Sequence, residues 1–279
     1  MLGGSAGTVE PMFRPSLVAL DVDGTTIDHA GRLSPAVRDA VAEVARAGHH
    51  VVIATGRAIV ATLPILDALG LHTGYAVCSN GAVTLRLDPA HAGGYEIVEA
   101  VTFDPGPALE LLRHEWPDAV VAVEELGVGF KLSAPFPEGE LQGELRVVPW
   151  DELVAEPVTR VTFRSPGGTS EDFLSLTERI GLHGVNYAVG FSAWLDINPE
   201  GVSKGSALEQ VRRWLHVEPG DTVAVGDQRN DLEMLHWAAR GVAMGNAPDE
   251  VKAVADEVTG DVNDDGLATI LRSLPRGGY

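Results

Sequence analysis

Two pairs of acidic residues stand where apolar runs end. Asp21 and Asp23 close the run 17–22 in Asp21-Val22-Asp23-Gly24-Thr25-Thr26, and Asp227 and Asp231 follow the run 222–225 in Gly226-Asp227-Gln228-Arg229-Asn230-Asp231. A spacing of two puts the Asp21 and Asp23 side chains on the same side of an extended chain. Adjacent carboxylates repel unless a cation or a shared proton relieves them. One pair alone reads equally well as turn or cap chemistry, because Asp-Gly favours tight turns and an acid caps a helix start. Both pairs at strand ends read differently. Four carboxylates converging on one sheet edge need a hard cation, and an oxygen donor set with few protein ligands suits Mg²⁺.

Two other segments could hold an anion. Ala54-Thr55-Gly56-Arg57 follows the run 50–54, so Thr55, the backbone amides around Gly56 and Arg57 can all donate; a hydroxyl cap and a surface arginine are the plainer alternative. Lys204 opens a helical pattern after Asn198-Pro199-Glu200-Gly201-Val202-Ser203. A cation there opposes the helix dipole, which points to an anionic group close by.

The elements that must position these residues follow a regular grammar. Short apolar runs at 17–22, 50–54, 75–78, 222–225 and 241–244 read as buried strands, and helical spacing fills 35–47, 58–69, 204–214 and 231–239. Ser34 before Pro35 supplies an N-cap with proline in the first helical position, and Gly48 a stop. Strands alternating with helices predict an α/β fold, a doubly wound parallel sheet whose ligands sit at the carboxyl ends of its strands. The grammar breaks at 82–188, where β-rich stretches surround helical patterns at 107–116 and 170–180. The expected organisation is a discontinuous core, 1–81 and 189–279, with an inserted α+β unit at 82–188.

Composition restricts the partners. The 279 residues carry 20 Lys and Arg against 40 Asp and Glu, a formal charge of −20, which repels phosphate backbones and anionic lipid surfaces. Nucleic acid and membrane are therefore not expected, and a small phosphate ester would need local cations or a metal. A single cysteine, Cys78, excludes an internal disulfide and suits a reducing compartment. The first eleven residues read as a flexible tail, with Met12 a natural start, and the opening Met1-Leu2-Gly3-Gly4 lacks the basic and apolar regions of an export signal. A cytoplasmic location is expected. The nine histidines show no metal-binding spacing, Trp116, Trp194 and Trp214 read as core, and Cys78 reads as a buried structural thiol.

In this order the residues resemble the haloacid dehalogenase superfamily, in particular its Cof-type phosphatases with a C2 (type IIB) cap. Asp21-Val22-Asp23-Gly24-Thr25 looks like the nucleophile motif, Thr55 the second, Lys204 the third, and Gly226-Asp227 with Asn230-Asp231 the fourth. Ser79-Asn80-Gly81-Ala82 and Val242-Ala243-Met244-Gly245-Asn246-Ala247 resemble subfamily signatures. The resemblance implies a Mg²⁺-dependent phosphatase of small-molecule phosphomonoesters, with Asp21 as nucleophile and Asp23 as general acid and base. Mg²⁺ would take the Asp21 carboxylate, the Asp23 backbone carbonyl, Asp227 and Asp231. Thr55, Gly56, Arg57, Asn80, Lys204 and Asn230 would serve the phosphate, and the insert would act as a specificity cap. A phosphomutase or phosphotransferase on the same core, or a non-catalytic Mg²⁺-binding phospho-acceptor, are the alternatives. Thr26 stands where the family more often has leucine, and Arg229 would add a cation beside the metal cluster.

Overall fold

The apolar runs become strands in a computed structural model that describes residues 13–165, 185–189 and 194–276. The tail before Met12 and the helix expected at 170–180 lie outside the described residues. In chain order the strands are β1 (Leu17–Leu20), β2 (His50–Ala54), β3 (Gly74–Cys78), β4 (Val83–Leu87), β5 (Tyr95–Ala100), β6 (Val120–Glu125) and β7 (Gly129–Leu132). They continue with β8 (Glu144–Val147), β9 (Val161–Arg164), β10 (Val185–Val189), β11 (Trp194–Pro199), β12 (Thr222–Gly226), β13 (Arg240–Ala243) and β14 (Glu257–Val258).

Among the described residues these strands build two sheets. The first runs β14-β13-β12-β1-β2-β3-β4-β5, parallel from β14 to β3 and antiparallel at β3–β4 and β4–β5. Strand β1 shows why helices must cover both faces. Val18 and Leu20 pack with Val37, Val41, Leu66 and Leu267, from the helices Pro35–Arg46, Ile59–Leu69 and Gly266–Arg272. Leu17 and Ala19, offset by one residue, pack with Leu208, Val211, Met234 and Val251 on the opposite face, as the period of two dictates. The helix Pro35–Arg46 starts where the sequence places it: Ser34 Oγ accepts from the Val37 amide at 3.1 Å.

Strand β1 lies between β2 and β12, so the chain winds away from it in both directions. This is the switch point at which ligands bind in open α/β sheets. Asp21, Thr55 and Asp227 each directly follow the strand that ends there.

The second sheet runs β10-β11-β9-β6-β7-β8. One face packs Val121, Val123, Phe163 and Ile197 against Leu109 and Leu112 of the helix Gly106–Glu115. On the other, Ala122, Phe130, Leu132 and Leu141 pack with Ala58, which precedes the helix Ile59–Leu69 of the first sheet's layer.

Sheet membership moves the expected boundaries. Strands β4 and β5, placed by sequence in the insert 82–188, extend the first sheet, while β11, placed in the returning core 189–279, belongs to the second. The turn Ser79–Gly81 leaves β4 no length in which to depart from β3, so the two pair antiparallel from Cys78↔Val83 outward. The chain thus changes sheets between β5 and β6, and again after β11. No described helix is long and apolar enough to cross a membrane.

Candidate active site

Asp21 follows β1 directly and is 5 % exposed, while Lys204 is the first residue of the helix Lys204–Trp214 and wholly buried. The Lys204 ammonium donates to Asp21 Oδ1 and to Asp231 Oδ1, each at 2.6 Å. Ser203 caps that helix through a reciprocal bond with Ser206, which fixes where Lys204 begins. The anion that the sequence required beside Lys204 is therefore a pair of carboxylates.

Asp21, Asp227 and Asp231 converge, with one oxygen from each lying within 4.8 Å of the others. Asp231 Oδ2 accepts the backbone N–H groups of Asp227 and Gln228 at 2.9 and 2.8 Å. Asp227 accepts from the Thr25 hydroxyl at 3.1 Å, the Gln228 amide at 2.9 Å and the Asn246 amide at 3.2 Å. Glycine is needed at 24 and 226. A Cβ on Gly24, whose φ is +80°, would stand 2.3 Å from Asp227 Oδ2, and one on Gly226 2.5 Å from Asp231 Cγ.

Three carboxylates share one ammonium, so the cluster carries surplus negative charge. Burial, then Asp231, pushes the Asp21 carboxyl well above its ordinary value despite Lys204. Burial and Asp231 likewise raise Asp227 to about 6, against the hydrogen bonds from Gln228 and Thr25. For Lys204 burial works against the charge, but Asp21 and Asp231 outweigh it and hold its pKa above the usual lysine value. An all-oxygen donor set with two unmatched negative charges fits a small divalent cation such as Mg²⁺. Asp23 stands apart from this cluster. Its carboxylate is 58 % exposed and held through both oxygens by Arg57, Nη2 at 2.6 Å and Nε at 2.8 Å.

A cavity of about 330 Å³ opens over these residues. Asp21, Asp23, Thr55, Gly56, Arg57 and Asn230 line it; Asn80, Lys204, Asp227 and Asp231 stand behind that wall. Asn80 holds Asn230, whose side-chain amide donates to Asn80 Oδ1 at 3.0 Å, and its own backbone N–H binds the Thr55 carbonyl at 3.0 Å. Arg229 does not add its charge to the cluster. Its side chain is exposed and pairs with Glu250 at 2.5 Å, because the turn Arg229–Asp231 that aims Asp231 inward aims its first residue outward. Cys78 is a buried thiol, as expected, with its pKa pushed up to about 12 by burial.

The second sheet supplies the opposite wall: Phe130, Leu141, Arg160, Trp194 and Asp196. Sequence reasoning missed all five as site residues and read Trp194 as core. A strand that meets its partner sheet only in three dimensions carries no local mark of what it faces. Arg160 crosses between the sheets, donating to the Gly56 carbonyl while its Nε lies 3.6 Å from Glu124 Oε2. Glu124 in turn accepts from Ser79 Oγ at 2.6 Å. Asn246 was visible in the sequence as part of a signature; its tie to Asp227 and to the Gly24 carbonyl, at 2.8 Å, gives it a physical reason.

The sequence pattern of haloacid dehalogenase-like hydrolases matches residues 18–109 and 152–271. Pyridoxal phosphate phosphatase YbhA of Escherichia coli is 31 % identical over 92 % of this chain and 97 % of its own length. HMP-PP phosphatase of Serratia proteamaculans is 29 % identical, covering 96 % of this chain and 97 % of its own. Among solved structures, BT1666 from Bacteroides thetaiotaomicron, from a study of phosphatases of the haloalkanoate enzyme superfamily, superposes with a TM-score of 0.77. It is 28 % identical, over 96 % of this chain and 98 % of its own.

Proposed function

The chain belongs to the haloacid dehalogenase-like hydrolases, and from that premise we propose that it hydrolyses small-molecule phosphomonoesters through a phosphorylated Asp21. Phosphatases are prominent among its named relatives, and two carry pyridoxal phosphate and HMP-PP in their names. The observation that carries the reading is the placement of Asp21. It is a carboxylate at the switch point, lining the cavity on one side and bonded to a buried lysine on the other.

Asp21 would attack the phosphorus as the bond to the leaving oxygen breaks, while Asp23, at the cavity mouth, gives that oxygen a proton. Asp23 would then take a proton from the water that attacks the phosphorylated Asp21, releasing inorganic phosphate and restoring both carboxyl groups. Arg57 orients Asp23 through its two bonds. Thr55, Asn230 and the backbone around Gly56 would donate to the phosphoryl oxygens, and Lys204 would hold Asp21 in its attacking orientation. Asp21, Asp227, Asp231 and the Asp23 carbonyl would hold Mg²⁺, which supplies the positive charge that lets a carboxylate approach a phosphoryl group. The second sheet would serve as the cap, reached between β5 and β6 and left after β11.

The direct test is release of p-nitrophenol from p-nitrophenyl phosphate. Turnover is expected with Mg²⁺ and not after exhaustive chelation, and Asp21→Asn is expected to be inactive. Chelation without effect would remove the metal from the reading, and an active Asp21→Asn would remove the nucleophile.

The metal site makes a separate prediction from stability. Asp227 titrates near 6 in the fold against 3.8 ordinarily. Its protonated form therefore favours folding below about pH 4, and that contribution is lost as the pH rises through 6. Above pH 6 the ionised cluster weakens the metal-free fold. Mg²⁺ is accordingly expected to raise Tm more at pH 8 than at pH 5, by on the order of 5–10 °C. Equal increments at the two pH values would contradict the assignment of these carboxylates to the metal.

A further inference from the structure

On the cap side of the cavity, Asp196 has a carboxylate oxygen with no hydrogen-bond donor among the described residues. Asp196, in β11, has a side chain only 13 % exposed, and what it exposes faces the cavity. Its Oδ1 accepts from the Thr162 hydroxyl at 2.7 Å. Among the described residues the nearest cation, Arg160 Nη1, lies 4.0 Å from Oδ2, beyond hydrogen-bond reach. That nitrogen is already spent on the Gly56 carbonyl, and the guanidinium lies over the Phe130 ring at 5.2 Å. Glu140, the other carboxylate on this wall, is held by Arg164 at 2.5 Å. A half-dry carboxylate oxygen facing a cavity favours a donor or a cation there and repels a second anion.

Trp194, two residues earlier on the same strand, lines the same space and is fixed by an edge contact to Phe136, ring centres 6.2 Å apart at 80°. With Leu141 and Ala61 it makes this end of the cavity apolar beside the Asp196 carboxylate. At about 330 Å³ the cavity is at the small end of the roughly 300–1,000 Å³ typical of ligand pockets.

We infer that the preferred phosphomonoester has a compact leaving group with one flat apolar face and an N–H or O–H donor, and no second anion, with Asp196 and Trp194 as its specificity residues. This rests on the phosphatase reading above. It goes further by giving the alcohol a chemical class. Donor-bearing aromatic rings and uncharged or amino pyranoses share this chemistry; phosphorylated carboxylic acids and bisphosphates do not.

The test is a matched series of phenyl phosphates bearing a para aminomethyl, hydroxymethyl or carboxylate group, compared by kcat/KM in the wild-type protein. The aminomethyl ester should exceed the carboxylate ester by about 10- to 100-fold, the range expected for gaining a charged hydrogen bond and losing a repulsion. Glucosamine 6-phosphate against 6-phosphogluconate should give the same sign, and comparison of the two series tells an aromatic ring from a pyranose. In Asp196→Asn the aminomethyl-to-carboxylate ratio should fall toward one. Trp194→Leu should raise KM for the aryl esters more than for phosphoethanolamine, which has the donor without the ring. Kd values for the same esters, measured by calorimetry on Asp21→Asn, give the ranking without turnover. If that order holds but the wild-type protein releases no phosphate, the phosphatase reading fails and this inference stands. If turnover occurs and the carboxylate ester is used as well as the aminomethyl one, or Asp196→Asn leaves the ratio unchanged, the inference fails alone.

Discussion

Asp23→Asn is expected to release one equivalent of p-nitrophenol from p-nitrophenyl phosphate in a burst and then stall. The p-nitrophenolate leaves without needing a proton, so phosphorylation of Asp21 survives the substitution. Hydrolysis of the acyl phosphate still requires a base for water, and the asparagine provides none. With an alkyl phosphate the departing alkoxide is strongly basic, so the first step itself should slow by about 10²–10⁴-fold. The variant is informative because asparagine retains one of the two oxygens that Arg57 holds, and the loop is expected to keep its shape. Rapid-quench release of p-nitrophenol, with mass detection of a phosphorylated Asp21 peptide, reads both halves. Loss of the burst, or wild-type steady-state turnover on an alkyl ester, would take Asp23 out of the acid–base role. The second result would also reopen the reading in which Asp21 is a passive acceptor.

Lys204→Met is expected to cost both activity and stability, by amounts that can be read separately. The ammonium is completely buried and bonds two carboxylates. Removing one partner of a buried ion pair typically destabilises by about 3–5 kcal/mol, because the remaining charges are left without compensation. For a protein of this size that is a fall in Tm of about 10 °C. Turnover should fall by at least about 10²–10³-fold, the range for loss of a group aimed at the reacting charge. The pH dependence identifies the cause. In acid the carboxyls take up protons, so the deficit in Tm should shrink below pH 6, and Mg²⁺ should reduce it at neutral pH. A variant that melts within about 2 °C of wild type at pH 8 would mean that Lys204 does not balance the cluster.

Much of this site is legible in the sequence because a buried parallel strand leaves a plain trace. Four or five apolar residues in succession, then an abrupt polar one, fit a buried strand ending at the carboxyl end of a sheet. Asp21, Thr55 and Asp227 are such residues, and Lys204 betrays itself by sitting where a helix start disfavours a cation. The cap wall left no such trace. Asp196 and Trp194 lie on a strand, and Arg160 just before one, whose alternation says which side is buried but not what lies across from it. Strands β4 and β5, which the sequence places in the insert, pair in the first sheet for a related reason: pairing is decided by the length of the turn between neighbours, and apolar alternation looks the same in either sheet. Arg229 shows the limit at the scale of one turn, where a single step around the backbone separates the carboxylate cluster from solvent and Glu250.

The flanking of β1 by β2 and β12 also sets the order in which the chain can be assembled. Leu17 pairs with His50 on one side but with Thr222 on the other. A ribosome adding about 5–20 residues per second would complete β1 roughly 10–40 s before β12 emerges. During that interval one edge of the most apolar strand in the sheet has no neighbour, and the helix carrying Lys204 is made only at its end. Every residue of the second sheet is synthesised within that gap, so the cap can fold first and hold the two halves of the core at its ends. The price of placing the second sheet in the middle of the chain is a nascent core with an open strand edge, a state that invites pairing with other chains and makes the core's closure a late, long-range event.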